Sequence, residues 1–254
     1  MRREGRCALI TGAGSGIGRA LAMEAAARGY AVALCGRRRE VLNETAALLP
    51  NASRHIIIAA DIRQPEDRAR IVTTLRDTWR RLDVLVNNAG IVPSGELGSL
   101  PDELLSDVFA TNIIGPIALT RDTMPLLRDG EAPAILNIGS MFGEIPFPGF
   151  AAYSASKGAI KAFSSALRRE VGRHGISVTY VAPRATDTAA ARALGVLKPS
   201  ARPKLDAPEK VAATAWNAME HRRRTAYPQG PERLFILLQA LFPGMVENAV
   251  SRST

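Results

Sequence analysis

Three side chains in the middle of the sequence could together move a proton: Ser140, Tyr153 and Lys157. Tyr153 and Lys157 lie four residues apart in a segment with a helical pattern, so both face the same side of a helix. A phenol with its ordinary pKa of about 10 is a poor base at neutral pH, and a neighbouring ammonium group stabilises the phenolate. Ser140 ends a strand-like run, where its hydroxyl could hydrogen-bond the same substrate oxygen. This set predicts acid–base chemistry on a carbonyl or an alcohol, with Tyr153 exchanging the proton.

A glycine-rich string, TGAGSGIG at residues 11–18, follows the first strand-like run and precedes a helical segment. Glycines let the backbone turn sharply and approach a pyrophosphate, and the helix N-terminus offers free N–H groups to its charge. A plain tight turn would not need so many glycines, and the position between a strand and a helix makes the motif specific. The string therefore predicts a dinucleotide site.

The second strand-like run ends at Gly36 and is followed by Arg37, Arg38 and Arg39. Enzymes that use NAD usually place an acidic side chain there to hold the ribose hydroxyls. A guanidinium instead binds a 2′-phosphate, which a carboxylate would repel. We therefore expect NADP(H) rather than NAD(H), with Arg37 as the contact because it is nearest the strand end. The alternative is a solvated charge run at a helix start.

Strand-like and helix-like patterns alternate along the chain. Unbroken apolar runs, typical of strands buried on both faces, occupy residues 7–11, 31–36, 55–61, 82–87, 134–140 and 177–183. Helical patterns occupy residues 17–28, 39–49, 65–80, 101–127 and 152–173. This alternation predicts an α/β fold, a doubly wound parallel sheet of about seven strands with helices on both faces, in a single Rossmann-type domain over residues 1–254.

The last third of the sequence has a weaker pattern. Residues 184–224 are interpreted as a substrate lid with a flanking helix from Pro208 to about residue 222, followed by a short strand at 225–229. Residues 231–254 form a helical tail. That tail could cover the substrate pocket, form a subunit contact, or rest on a membrane surface with help from the basic run at 221–224.

Taken together, these motifs resemble the short-chain dehydrogenase/reductase family over residues 7 to about 188. The family's Thr-Gly-x-x-x-Gly-x-Gly corresponds to residues 11–18, and its Asn-Asn-Ala-Gly to residues 87–90. Ser140, Tyr153 and Lys157 match the catalytic serine, tyrosine and lysine. Asn112 matches the asparagine that holds a water beside the lysine, and Lys157 would also hold the nicotinamide ribose. An ordinary helix-interior role is the alternative for Asn112.

The resemblance also implies a set of cofactor contacts. Asp61 matches the residue that meets the adenine ring, although it could instead cap the following segment. Thr188 keeps the position of a threonine that binds the carboxamide. The expected cofactor-binding residues are Gly12, Ser15, Gly16, Ile17, Gly18, Arg37, Asp61, Ile62, Asn88, Ala89, Gly90, Tyr153, Lys157, Pro183 and Thr188.

The sequence departs from the family pattern after Pro183, where Arg184 replaces the usual glycine. One hypothesis is that Arg184 recognises an anionic group of substrate or cofactor; the alternative is an arginine that points to solvent. The loop at residues 141–150 is apolar and aromatic, which suits an apolar ketone or acyl group more than a sugar. Core packing is an equally ordinary role for this loop.

Composition limits the remaining classes of function. The 254 residues carry a net charge of +9, but the arginines are spread along the chain and no nucleic-acid motif accompanies them, so we expect no nucleic-acid partner. No apolar stretch is long enough to span a bilayer. The two cysteines lack metal-ligand spacing, so no metal site is expected, and buried thiols suit the cytoplasm. By analogy with the family, we expect a homodimer or homotetramer that forms through the fourth and fifth helices.

Two functions of different classes fit the sequence. The first is an active carbonyl reductase or alcohol dehydrogenase, which the complete set of Ser140, Tyr153 and Lys157 favours. The second is a regulatory or interaction protein of the same fold that binds the cofactor and has little turnover. Such relatives generally lose the tyrosine or the lysine, and this chain has kept both.

Overall fold

The computed structural model describes residues 5–188, 205–228, 230 and 232–251. Within them the chain forms one parallel sheet of seven strands in the order β3-β2-β1-β4-β5-β6-β7. The strands are β1 (Cys7–Thr11), β2 (Ala31–Gly36), β3 (Ile56–Ala59), β4 (Val84–Asn87), β5 (Ala134–Ile138), β6 (Ser177–Val181) and β7 (Thr225–Ala226). The strand order reverses direction between β1 and β4, which is where ligands bind in open α/β sheets. The predicted doubly wound Rossmann fold is confirmed.

Helices cover both faces of the sheet. They are α1 (Gly16–Ala27), α2 (Arg39–Ala47), α3 (Pro65–Trp79), α4 (Asp102–Phe109), α5 (Gly115–Arg128), α6 (Ala151–Val171), α7 (Pro208–Glu220), α8 (Glu232–Leu241) and α9 (Pro243–Ser251). One apolar cluster joins alternate strand side chains to α1 and α7, and the other joins the opposite side chains to α3, α5 and α6. In the first cluster, fully buried Trp216 stacks at a tilt on Tyr30, with ring centroids 4.8 Å apart, and donates its indole N–H to Leu21 O at 3.0 Å. Two independent cores therefore hold the sheet rigid from both sides.

Several predicted boundaries were wrong in detail. The strands predicted at 55–61, 134–140, 177–183 and 225–229 are shorter, so Ser140 and Pro183 lie in the turns beyond the sheet. The single helix predicted at 101–127 is interrupted by a π-helical turn, Ala110–Ile114. The Asn112 side chain is buried at this turn. Hydrophobic spacing alone does not indicate such a turn.

The C-terminal part forms two short helices, α8 and α9, rather than one stretch. Six large apolar side chains on or between these helices are exposed: Leu234, Phe235, Leu237, Leu241, Phe242 and Met245. Most of the predicted lid, residues 189–204, lies outside the described residues, as do residues 252–254 of the predicted tail. Among the helices that are described, none combines the length and hydrophobicity that crossing a bilayer requires.

Candidate functional site

The turn between β1 and α1 has a backbone that only glycine accommodates. Gly12 and Gly16 have φ angles of +66° and +51°, in the left-handed region. A Cβ atom on Gly18 would lie 2.0 Å from the Gly12 carbonyl oxygen, so any side chain there would displace the turn. The first N–H groups of α1 have no partner within the helix. They face the turn and make it suited to an anion.

A cavity of about 300 Å³ extends from this turn along the carboxyl ends of β1, β2 and β4. Twelve of the predicted cofactor residues line it: Gly12, Ser15, Gly16, Ile17, Gly18, Arg37, Asp61, Ile62, Asn88, Ala89, Gly90 and Thr188. The other three, Tyr153, Lys157 and Pro183, do not line it. The Pro183 carbonyl accepts a hydrogen bond from Met141 N at 2.9 Å and so fixes the neighbouring loop.

Thr11 fixes the floor of the cavity. Its hydroxyl donates to Val86 O at 3.1 Å and accepts the N–H groups of Asn88 and Ala89, both at 3.0 Å. Asn88 Nδ2 returns a bond to Thr11 O at 2.9 Å. These bonds tie β1 to the end of β4 at the point where the strand order reverses. The Asn-Asn-Ala-Gly segment is thereby held at the cavity wall.

Arg37 and Arg38 line one end of the cavity, and both are exposed. Arg38 directly precedes α2, and sequence reasoning preferred Arg37 without assigning Arg38 a contact. Within the described parts of the chain, neither guanidinium forms a salt bridge to a carboxylate. Two cations are therefore available at the same end of one cavity.

Asp61 faces the same end of the cavity and is held by Arg63. The Arg63 guanidinium donates to both Asp61 carboxylate oxygens and to Asp107 Oδ1 at 2.5 Å, and Arg63 N donates to Asp61 Oδ1 at 3.0 Å. Burial acts to raise the pKa of Asp61, but the hydrogen bonds from Arg63, followed by the charges of Arg63 and Arg37, hold it below its ordinary value. Asp61 thus remains an anion that lines the cavity and also caps the turn before α3.

Ser140, Tyr153 and Lys157 meet beyond the carboxyl end of β5, as predicted. The Ser140 side chain acts on the Tyr153 hydroxyl and lowers its pKa, and Ser140 Oγ accepts Phe142 N at 3.1 Å. Lys157 Nζ lies 5.7 Å from the centre of the Tyr153 ring and donates to Ile138 O at 3.1 Å. The arrangement presents two hydroxyl groups side by side, with an ammonium group behind them.

Burial changes both titrating groups of this cluster. It raises the pKa of Tyr153 to about 12, and the hydrogen bond to Ser140 only partly opposes this effect. It lowers the pKa of Lys157 to about 8. Sequence reasoning expected the lysine to depress the tyrosine pKa, but burial is the larger effect in this structure. At neutral pH Tyr153 therefore holds its proton while Lys157 is largely charged.

Asn112 lies at the π-helical turn and spans two segments. Its Oδ1 accepts Ile91 N, and its Nδ2 donates to Ile91 O, each at 2.9 Å. Nδ2 also donates to Ser156 Oγ at 3.0 Å, a contact that sequence reasoning missed. A Cβ on Gly90 would lie 3.2 Å from Asn112 Oδ1 and 3.5 Å from Lys157 Nζ. Asn112 and Lys157 therefore flank the same glycine at the cavity wall.

Aromatic side chains cover the other side of Tyr153. The Phe142 ring stacks on Phe147 with centroids 5.5 Å apart, tilts against Phe150 at 4.9 Å and meets Tyr153 edge-on at 6.3 Å. Tyr153 and Phe150 also line a narrow cleft together with Leu97 and Leu100. The catalytic candidates thus stand between a polar cavity and an apolar cleft.

Arg184 differs from both of its sequence interpretations. It donates two hydrogen bonds to Asp206, at 2.8 and 2.9 Å, and a third to Glu232 Oε1 at 2.6 Å, and these bonds raise its pKa further. It therefore points neither to open solvent nor into the cavity. Beside it, Thr186 and Asp206 form a parallel backbone bridge. Asp187 N donates to Asp206 O, and Asp206 N donates to Ala185 O, both at 3.0 Å.

No trio of His, Cys, Asp or Glu side chains in the described ranges is grouped so that it could hold a metal ion. Sequence reasoning also missed Gly14, Cys35, Val41 and Thr111 in the wall of the main cavity. Gly14 carried a signal, since it belongs to the glycine-rich string. A Cβ there would lie 2.5 Å from Val41 Cγ2, so this glycine lets the turn pack on α2.

Comparison with known proteins gives a consistent result. The chain is 37% identical over 186 residues to a sulfoacetaldehyde reductase from Chromohalobacter salexigens, covering 72% of this chain and 73% of the relative. A short-chain dehydrogenase from Sphingobium yanoikuyae in complex with NADPH superposes with a TM-score of 0.81 at 29% identity, over 94% of this chain and 95% of that one. A 3-ketoacyl-(acyl-carrier-protein) reductase from Brucella melitensis complexed with NADH gives a TM-score of 0.79 at 27% identity, over 88% and 96%.

The sequence model of the short chain dehydrogenase family matches residues 6–196, about three quarters of the chain. Strands β1 to β6, the glycine-rich turn and the cluster of Ser140, Tyr153 and Lys157 all lie within that match. This protein therefore belongs to the short-chain dehydrogenase/reductase family of oxidoreductases.

Proposed function

We propose that this protein is an NADP(H)-dependent oxidoreductase that interconverts a ketone or 3-oxoacyl-type carbonyl and a secondary alcohol, with Tyr153 as the general acid and base. One observation carries the proposal. The Ser140 side chain is close enough to Tyr153 to lower its pKa, and Lys157 Nζ lies 5.7 Å from the centre of the same ring. A protein that only bound a nucleotide would not need this arrangement.

In the reducing direction, the carbonyl oxygen would accept hydrogen bonds from Ser140 and Tyr153, and Tyr153 would transfer its proton to it. A pKa of about 12 keeps Tyr153 in the donor form at neutral pH. The Lys157 charge then stabilises the phenolate that remains. Ser140 holds the oxygen in place. In the oxidising direction, the phenolate would accept the alcohol proton.

The main cavity fits a phosphorylated dinucleotide. The turn at Gly12–Gly18 has space for backbone but not for side chains, and it exposes the start of α1 to an anion. Arg37 and Arg38 would hold a 2′-phosphate, and Asp61 would meet the adenine end. A bound nicotinamide would supply or accept the hydride at the substrate carbon. The relatives support a nicotinamide cofactor in general, since one solved structure contains NADPH and another NADH.

The substrate side favours an apolar group. Phe142, Phe147 and Phe150 form a continuous aromatic cluster that reaches Tyr153. Such a lining suits an alkyl or aryl ketone, or an acyl chain, better than a sugar. Arg184 would not serve as an anion receptor because its donors are engaged with Asp206 and Glu232.

We also expect a homodimer or homotetramer in the cytoplasm. Three apolar side chains on or beside α4 and α5 are exposed, Leu104, Ile114 and Ile117, and family members commonly associate through these helices. Two buried thiols, Cys7 and Cys35, suit a reducing compartment. Light scattering of the purified chain would give the oligomeric state. A monomer would contradict the expectation.

The test is turnover with matched cofactors. Purified protein is mixed with NADPH or NADH and a panel of alkyl ketones, aryl ketones and 3-oxoacyl thioesters, and the loss of nicotinamide absorbance is followed. We expect steady turnover with NADPH and much less with NADH. Tight NADPH binding without turnover of any carbonyl would instead favour a regulatory protein. Preference for NADH would contradict the role given to Arg37.

A further inference from the structure

Glu144 is a buried carboxylate that the proposed reaction does not use. It lies four residues after Ser140, and its side chain is fully buried. Its Oε2 accepts Lys161 Nζ at 2.7 Å and the Tyr227 hydroxyl at 3.3 Å. Its Oε1 is buried without a hydrogen-bond partner in the described part of the chain. Burying a carboxylate with an unsatisfied oxygen is costly, so its presence at this place calls for an explanation.

The segment between Ser140 and Glu144 determines how Ser140 is presented. The Ser140 carbonyl accepts Gly143 N at 3.0 Å, and its hydroxyl accepts Phe142 N. A Cβ on Gly143 would lie 2.8 Å from the Lys157 backbone, so the turn packs directly on α6 at the candidate lysine. Glu144 ends this turn and is its only charged side chain. Any movement of Glu144 is therefore transmitted to Ser140 and to the surface of α6.

Glu144 fastens this turn to the helix that carries the other two catalytic candidates. Tyr153, Lys157 and Lys161 follow one another at intervals of four residues in α6 and so share one face. The pair of Glu144 with Lys161 thus lies one helical turn beyond Lys157. Because Glu144 is fully buried while the Lys161 side chain is 45% exposed, the lysine can remain solvated and charged.

Tyr180 on β6 makes a second contact with the Ser140 turn. The Tyr180 hydroxyl forms a long hydrogen bond, 3.5 Å, to the Ser140 carbonyl. Burial, followed by the nearby charge of Glu144, raises the pKa of Tyr180, so its hydroxyl remains a donor. The Tyr180 ring fills the space where a Cβ on Gly139 would lie, 2.2 Å from the ring. Tyr180 therefore supports the Ser140 turn from the side of the sheet.

We propose that Glu144 is a positioning residue, which acts through Lys161 to hold the Ser140 turn in register with Tyr153 and Lys157. This inference rests on the proposed oxidoreductase function. It assigns Glu144 to catalytic geometry, not to cofactor binding, because Glu144 is absent from the residues that line the main cavity. Removing the charge of Glu144 should then lower kcat and leave the affinity for NADPH unchanged.

The test compares Glu144→Gln, Lys161→Met and Lys161→Arg with the wild-type chain. For Glu144→Gln and Lys161→Met we expect kcat to fall on the order of tenfold or more, because small displacements of a positioned group are costly. NADPH affinity should stay as in the wild type. Lys161→Arg should restore most of kcat because it keeps the charge. Lys210→Met is the matched control, since Lys210 pairs with Asp206 at 3.3 Å, away from the Ser140 turn, and its kcat should not change.

A double-mutant cycle separates positioning from general stability. If Glu144 acts through Lys161, then Glu144→Gln should cost clearly less kcat in the Lys161→Met background than alone. Full additivity, or wild-type kcat in both Glu144→Gln and Lys161→Met, would overturn the assignment. If Glu144→Gln does not fold, the two Lys161 variants test the role of Glu144: kcat should fall in Lys161→Met and be largely restored in Lys161→Arg. A wild-type chain without turnover would overturn the oxidoreductase function and this role together, whereas activity that Tyr153→Phe abolishes and Glu144→Gln leaves intact would overturn this role alone.

Discussion

The two sides of the site use charge in opposite ways. On the cofactor side, defined as the cavity wall at residues 11–18, 36–38 and 60–62, Arg37 and Arg38 face the cavity and form no salt bridge in the described ranges. On the closing side, defined as Arg184, Asp206, Glu232 and helices α8 and α9, the charges neutralise one another within 3 Å. The closing side instead exposes apolar side chains.

The difference distinguishes arginines that can bind a ligand from arginines that stabilise the fold. A guanidinium that keeps its donors free can bind an incoming phosphate at little cost in reorganisation. A guanidinium that already holds two carboxylates contributes to the fold and has few donors left for a ligand. An arginine near the mouth of a cavity is therefore weak evidence for ligand binding until the hydrogen-bond partners of its guanidinium are known.

The largest effect is expected at the centre, where the two sides meet. Tyr153→Phe removes the hydroxyl that is proposed to transfer the proton, and we expect kcat to fall by about a thousandfold. NADPH affinity should change little, because Tyr153 does not line the main cavity. Steady-state kinetics and fluorescence titration measure the two quantities. A variant with more than about a tenth of wild-type kcat would require another acid.

The cofactor side should respond to loss of a free cation. Arg37→Ala removes a charge-assisted contact to a 2′-phosphate, so the NADPH Kd should rise on the order of tenfold or more, while the NADH Kd stays the same. Arg38→Ala should act in the same direction, because Arg38 also lines the cavity. Arg39→Ala is the control, since Arg39 begins α2 and is exposed outside the cavity wall. Equal losses for NADPH and NADH would refute phosphate recognition.

The pH dependence of reduction should follow Lys157. Its pKa of about 8 means that its charge is present below that pH and is lost as the pH rises through it. Tyr153 still carries its proton in this range because its pKa is about 12. We therefore expect kcat/KM for reduction to be level near neutral pH and to fall above about pH 8. Lys157→Met should have low activity without this fall, and a profile that rises through pH 8 would contradict the assignment.

The smallest functional effect is expected on the closing side. Arg184→Gln removes bonds to Asp206 and Glu232, so the free energy of unfolding should fall by about 1–3 kcal/mol. The NADPH Kd should be unchanged, because these donors are already engaged with the chain. Arg169→Gln, on the exposed surface of α6, serves as the stability control. If Arg184→Gln instead weakened cofactor or substrate binding at unchanged stability, the contrast between the two sides would fail.

Local patterns predicted the sheet and most of the cavity wall. Apolar runs and the right-handed crossover rule determine the strand order, and the glycine-rich turn requires its own backbone geometry. The motif residues therefore fall where they were expected, from Gly12 to Gly90. Strand ends were less predictable, because Ser140 and Pro183 continue an apolar run after the ladder hydrogen bonds stop.

Contacts between distant segments could not be predicted. The partners of Arg184 lie 22 and 48 residues away, and those of Glu144 lie 17 and 83 residues away. No spacing rule links such positions. Two roles for Arg184 therefore stayed open at the level of the sequence, and no role was predicted for Glu144. The pKa of Tyr153 was misjudged for the same reason, because burial depends on Phe142 and the other residues packed around the ring.

The bridge between Thr186 and Asp206 has a consequence for engineering. Two positions twenty residues apart in the sequence are neighbours in the backbone here, and Arg184 fastens this junction to Asp206. A segment between two such anchored ends can change length at a cost of only about 0.6 kcal/mol for each doubling. The junction is therefore a suitable place to change the length of the chain while the sheet stays intact.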